Sequence, residues 1–295
     1  MDDMSRLTKA VAVLALLSIA CTSGETGNEG DDYAAEMAEQ HQDDRPVAAA
    51  AASGAPADSV EGRETVYATV GGREIDGYLA TPVGTADSLP GVIVIHEWWG
   101  VNENIRTMAR KLAARGYAAL AVDLYGDRVA STSDSAMKLV RSVDEAAARS
   151  NLRQAYGFLI ERGAPAVASL GWCFGGGWSL RTALELPEKL DAAVIYYGQL
   201  VTEPDRLSRL TMPVLGHFGD QDNSIPLEDV RAFRDALSRA GVTHEIRVYE
   251  GAGHAFANPS GERYVEAAAD TAWRRTLHFL DEHLKGDSGS GGEGG

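Results

Sequence analysis

The chain has 295 residues, 44% of them hydrophobic and 24% charged, with a formal net charge of −16. That length allows one large α/β domain or two small ones. The acidity excludes an electrostatic nucleic-acid binder, because there is no basic patch to neutralise phosphates; otherwise it serves solubility.

In chain order, the first element reads as an export signal. Arg6 and Lys9 precede an apolar run over residues 10–17, followed by small residues and Cys21. The run is too short to span a bilayer as a mature helix and fits the apolar core of a signal peptide. Residues 16–22 (Leu-Leu-Ser-Ile-Ala-Cys-Thr) resemble a bacterial lipoprotein signal, with Ser18 where leucine is usual. On that reading Cys21 becomes the lipidated first residue, giving membrane attachment; the alternative is an ordinary secretory signal with an incidental cysteine. Either way residues 1–21 are expected to direct export, to a membrane-anchored form or to the periplasm or extracellular space. Residues 22–60 are expected to be a disordered acidic linker. They are rich in Gly, Ala, Asp and Glu, with no sustained apolar period, and cannot bury enough surface to offset ordering entropy. At most a transient helix is expected over 33–40. Residues 287–295 read as a flexible Gly/Ser/Glu tail. Neither end is expected to carry the chemistry.

Residues 61–286 read as one α/β domain. A β-hairpin is predicted over 66–70 and 73–80 with Gly71-Gly72 as its turn. Short apolar runs follow at 92–95, 118–122, 166–170, 192–197 and 214–218, of the continuous kind that is buried on both faces in a parallel sheet. Between the first two, Ile105, Met108, Ala109, Leu112 and Ala113 recur at helical spacing and Gly116 stands at a C′ position. Further helices are predicted over 135–161, 175–186, 227–240 and 264–284, and the alternating residues 245–249 suit a late edge strand. Strands alternating with helices imply a doubly wound, mostly parallel sheet, whose ligands gather at the carboxyl ends of the strands.

Chemistry-bearing residues fall at those ends. Gly171-Trp172-Cys173-Phe174-Gly175-Gly176 lies between a predicted strand and a predicted helix, and has the form of the nucleophile elbow of α/β-hydrolases with cysteine for serine. Small residues two places either side let strand and helix pack closely. The Phe174 N–H then points at a developing oxyanion, and the helix N-terminus favours a thiolate. With Cys21 lipidated or removed, Cys173 has no disulfide partner, so it is either a reactive thiol or an inert core residue. The later strands supply an acid loop with Asp220 and Asp222 and a Gly-flanked His254, in the chain order an elbow enzyme needs. Asp222, deeper in its loop before Pro226, is the better acid; Asp220 can cap the loop. His96-Glu97-Trp98-Trp99-Gly100 ends the 92–95 strand, where Trp98 N–H can supply a second oxyanion donor. Glu97 beside the sulfur would keep the thiol protonated until substrate arrives, or else is a buried carboxylate bonding the loop backbone; the two tryptophans suggest a pocket wall for an apolar or aromatic substrate, or else are packing.

Together with Asp123-Leu124-Tyr125-Gly126, Asp222 before Pro226 and Gly253-His254-Ala255-Phe256, these segments resemble the dienelactone hydrolase family over nearly the whole domain. The resemblance implies an α/β-hydrolase fold, a Cys173–His254–Asp222 triad, a Glu97 that interacts with the thiol, and no metal or organic cofactor. It also implies hydrolysis of a small-molecule ester or lactone through a thioester, with Trp99, Tyr125 and Arg128 as substrate-binding candidates. The founding members place one arginine shortly after the Asp-Leu-Tyr segment and another four residues after the histidine, to hold a substrate carboxylate. Here Asn258 stands at the second place and Arg128 is one step out of register with the first. A thioesterase or other acyl hydrolase on the same scaffold, and a surface protein that binds without turnover, are the competing readings.

Overall fold

The computed structural model describes residue 37, residues 59–85 and residues 88–286. The expected signal over 1–21, Cys21 and nearly all of the expected linker and tail lie outside the described residues. Among those described, eight strands form one sheet in the order β1-β2-β4-β3-β5-β6-β7-β8. The strands are β1 (Val60–Val70), β2 (Arg73–Pro82), β3 (Gly91–Ile95), β4 (Ala118–Val122), β5 (Val167–Trp172), β6 (Ala192–Tyr196), β7 (Val214–Gly219) and β8 (His244–Tyr249). β1, β2 and β4 pair antiparallel; every other neighbour is parallel. Gly71 and Gly72 have φ of 59° and 79°, the positive values that a tight two-residue hairpin turn requires.

The five central strands, β3 to β7, are buried along their whole length, because helices cover both faces. The helices are α1 (Glu103–Ala113), α2 (Ser133–Arg141), α3 (Glu145–Glu161), α4 (Phe174–Glu185), α5 (Pro204–Leu207), α6 (Leu227–Ala240) and α7 (Glu266–Leu284). Strand alternation assigns α4 and α7 to opposite faces. Ser169 of β5 meets the Ser179 hydroxyl on α4 at 2.9 Å, whereas Trp172, three residues on, shares its face with Tyr196. The Tyr196 hydroxyl lies 2.6 Å from that of Thr276 on α7. α1 joins α7 on that second face, since Tyr117, just beyond α1, donates to Asp281 at 2.8 Å and Lys285 donates to the Arg115 carbonyl at 2.7 Å.

Two predicted elements differ. The helix expected over 135–161 is two helices, because Asp144 leaves the helical conformation and accepts from the Ala147 N–H at 2.7 Å, starting α3 afresh. β1 starts at Val60, within the expected linker, and runs through the exposed Glu61, Arg63 and Glu64. α5 has no counterpart among the predicted helices.

The chain leaves β3 to form β4 on one side and, later, β5 on the other. Loops diverge there at the carboxyl ends of β3 and β5, opening the crevice where doubly wound sheets bind ligands.

Candidate active site

The β5–α4 junction is a sharp turn centred on Cys173, with φ 55° and ψ −121°. A non-glycine residue in this region is strained and persists only where its surroundings fix it. Here the Cys173 N–H donates to the Tyr196 carbonyl at 3.0 Å and its carbonyl accepts from Gly177 N–H at 3.2 Å. The flanking glycines are sterically required. A Cβ on Gly171 would overlap the Gly175 carbonyl, and one on Gly175 would overlap the Ile95 and His96 carbonyls. Strand, helix and the β3 loop therefore approach to backbone contact. Cys173 precedes the first residue of α4, 3% exposed, at the positive end of the helix.

Asp222 and His254 come from the loops after β7 and β8. Asp222 Oδ1 accepts from Ser224 N–H at 2.8 Å and Ile225 N–H at 3.0 Å, which leaves Oδ2 to face His254 Nδ1 at 2.9 Å. Burial opposes the Asp222 charge. His254 and the two amides outweigh it and hold the carboxyl below its usual range. For His254, burial alone would lower the pKa, yet the Asp222 carboxylate and the Cys173 sulfur, with hydrogen bonds to both, raise it to about 10. Asp220 sits elsewhere, its Oδ1 accepting from Gly251 N–H at 2.7 Å and closing the two loops together.

The β3 loop completes the site. His96 Nε2 accepts from Leu124 N–H at 3.2 Å, so the ring proton lies on Nδ1, which donates to the Glu97 carbonyl at 2.6 Å. Burial keeps this ring neutral by lowering its pKa. Glu97 is 3% exposed, and its Oε2 accepts from Asn258 Nδ2 at 2.7 Å. The amide orientation of Asn258 is fixed, because its Oδ1 accepts from Ser260 N–H at 2.8 Å, Ser260 Oγ at 2.6 Å and Asn104 Nδ2 at 3.3 Å. A neutral amide thus holds Glu97. Trp98 and Trp99 are buried with ring centroids 4.8 Å apart, and both line the cavity that contains Cys173, Glu97 and His254. That cavity is small, about 30 Å³.

Tyr125 and Arg128 are not brought to this cavity. The Tyr125 ring lies behind it, between His96 at 4.5 Å and Phe174 at 5.5 Å. Its buried hydroxyl has no hydrogen-bond partner among the described residues. Arg128 turns away: Nε donates to the Tyr125 carbonyl at 2.6 Å and Nη2 to Ser142 Oγ at 3.2 Å, in a separate groove of about 400 Å³ with Arg106 and Asp127. The arginine that does line the Cys173 cavity is Arg263. Sequence reasoning missed it, along with Tyr197. Tyr197 has φ 35° and stacks edge-on against His254 at 5.2 Å. Its hydroxyl is buried without a hydrogen-bond partner among the described residues. Burial, then Glu97 and Cys173, push its pKa well up, so it remains a proton donor. The available signal was its place at the carboxyl end of a predicted central strand. Among the described residues no three His, Cys, Asp or Glu side chains converge as a metal site.

A family model, that of the dienelactone hydrolase family, matches residues 75–284. A Salmonella typhimurium protein named for carboxymethylenebutenolidase activity is 36% identical over 228 residues, covering 72% of this chain and 84% of its own. A Bradyrhizobium protein named as a 2-oxo-3-(5-oxofuran-2-ylidene)propanoate lactonase is 31% identical, covering 71% and 90%. A Klebsiella pneumoniae crystal structure described as a dienelactone hydrolase superposes with a TM-score of 0.69 at 33% identity, covering 76% of this chain and 99% of that one. With the match spanning most of the chain and the elbow, acid and histidine loops in family order, the chain belongs to the dienelactone hydrolase family.

Proposed function

We propose that this protein hydrolyses carboxylic esters and lactones by acyl transfer through Cys173. The observation that carries the reading is the line Asp222–His254–Cys173, buried on a strained elbow with its carboxylate held by two amides. Names of the relatives support the substrate class, two of them denoting lactone-opening enzymes.

In the proposed mechanism the Cys173 sulfur attacks the carbonyl carbon while His254 holds the proton. The oxyanion accepts hydrogen bonds from the N–H groups of Trp98 and Phe174, donors already oriented before reaction. As the carbonyl re-forms, the C–O bond breaks and the imidazolium returns the proton to the leaving alkoxide. In a lactone that hydroxyl stays attached to the acyl chain. Water, losing its proton to His254, attacks the thioester; the acid leaves and the thiol is restored. Asp222 keeps the imidazole in the tautomer that this sequence needs. Glu97 shares the cavity with Cys173 and is held there by Asn258.

An ester and lactone panel on wild type and Cys173→Ala tests the reading, with intact-mass detection of the thioester after rapid acid quench. Loss of turnover in Cys173→Ala and an acyl adduct on wild type are expected; hydrolysis that survives the substitution refutes it.

The export reading stands beside this proposal. Cys21 after the apolar run would hold the enzyme at a membrane outside the cytoplasm. Incorporation of an alkynyl fatty acid that disappears in Cys21→Ala is the expected result, and unchanged incorporation would sink it.

A further inference from the structure

One wall of the Cys173 cavity comes from outside the family domain. Met37 precedes the residues 75–284 that carry the family match. The Klebsiella structure matches over 99% of its own length while covering 76% of this chain. Yet Met37 is only 4% exposed, joins the apolar core and lines the same cavity as Cys173, Trp98 and His254. Met37 falls in the stretch expected from the sequence to be linker.

The cavity's size makes the contact consequential. About 30 Å³ holds a water or two, so an ester cannot enter while every wall stays in place. Several of the other walls are held in place. Asn258 holds Glu97, Asp222 holds His254, and Trp98 and Trp99 pack ring against ring. Met37 has an unbranched side chain with three rotatable bonds and a soft thioether. It is a wall that can turn aside.

We propose that Met37 closes the acyl pocket and sets the size of acyl group the enzyme accepts. Compact acyl groups enter by rotating the thioether along the apolar wall; longer ones must expel it from the core and forfeit its buried contact. The substrate class is therefore short-chain esters and compact lactones. This specificity role rests on the hydrolase reading above, and Met37 itself touches no reacting atom.

The test uses full-length chain carrying Cys21→Ser, which leaves Cys173 as its single thiol, with Met37→Ala and Met37→Leu added. Acetate and hexanoate p-nitrophenyl esters report specificity. Met37→Ala is expected to raise the hexanoate-to-acetate ratio of kcat/KM by roughly tenfold, the scale on which a methylene or two discriminates in an apolar pocket. The gain should fall mainly in KM, Met37→Leu should keep the wild-type ratio, and thermal melts should confirm a folded chain. Alkylation of Cys173 by iodoacetamide and by N-benzyl iodoacetamide reads the same wall without needing turnover. Met37→Ala should speed the benzyl reagent selectively. Equal acceleration of both reagents, or rates and ratios that superimpose on wild type, would overturn the proposal. A wild-type chain that turns over no ester or lactone would remove the hydrolase reading, and the alkylation rates would still decide the role of Met37.

Discussion

At Asn258 a neutral amide holds Glu97 through one hydrogen bond and itself brings no positive charge to the cavity. Changing it to aspartate keeps the acceptor for Ser260 and Asn104 but sets two carboxylates face to face, so that one must hold a proton. Asn258→Asp should lower kcat/KM at neutral pH by at least about tenfold, with partial recovery as the pH falls; a pH–rate profile checks this. The Asp222–His254 pair makes a second prediction. The His254 pKa is about 10, above its ordinary 6.5. Its pairing therefore stabilises the fold fully below the unfolded value and fades as pH rises through about 10. Asp222 lies below its ordinary 3.8, so its contribution exists above that value and is lost as pH falls through the depressed one. Urea midpoints should form a plateau between these limits, and Asp222→Asn should lower the plateau and flatten both flanks. The sequence displays the residue types and chain order of this pair, since elbow, acid and histidine follow successive strands. It does not display where a side chain turns. Arg128 looks available for substrate and instead binds the Tyr125 carbonyl, while Tyr197 reaches the histidine only because β6 brings it there.

Among elements, the central strands are legible because both their faces are buried, leaving unbroken apolar runs that no loop tolerates. The first half of the edge strand β1 is not, because its exposed charges from Glu61 to Glu64 resemble the linker before it. Nor is the break between α2 and α3, since both helices bury an apolar stripe and a three-residue interruption hardly disturbs the period. Asp144 makes that break, and Asp144→Ala should cost about 1 kcal/mol by removing the cap at Ala147, measured by chemical denaturation. The β5–α4 elbow tolerates far less. A methyl group on Gly175 would overlap two carbonyls of the β3 end, so Gly175→Ala should either prevent folding or separate the β3 loop from the thiol. Soluble yield, then Cys173 alkylation of any folded material, measures the outcome.

For the whole molecule, the sequence carries the doubly wound class but not the strand order. That order depends on which side of β3 each crossover returns to, and here it joins the β3 and β5 loops into one crevice. Composition likewise cannot reveal that Met37 is buried against the domain, because a single apolar residue in a polar stretch has no period. The sheet also ends in charge on both sides: Glu61, Arg63 and Glu64 on β1, and on β8 a Glu245–Arg247 pair supported by Arg275. An open edge is a template on which another copy's strand can add. Replacing Glu245 and Arg247 together by valine should therefore produce time-dependent light scattering at concentrations where wild type stays clear. For a protein proposed to hang from a lipid on a crowded two-dimensional surface, neighbours meet far more often than in dilute solution. Charged margins let such molecules stand shoulder to shoulder without their sheets fusing into one.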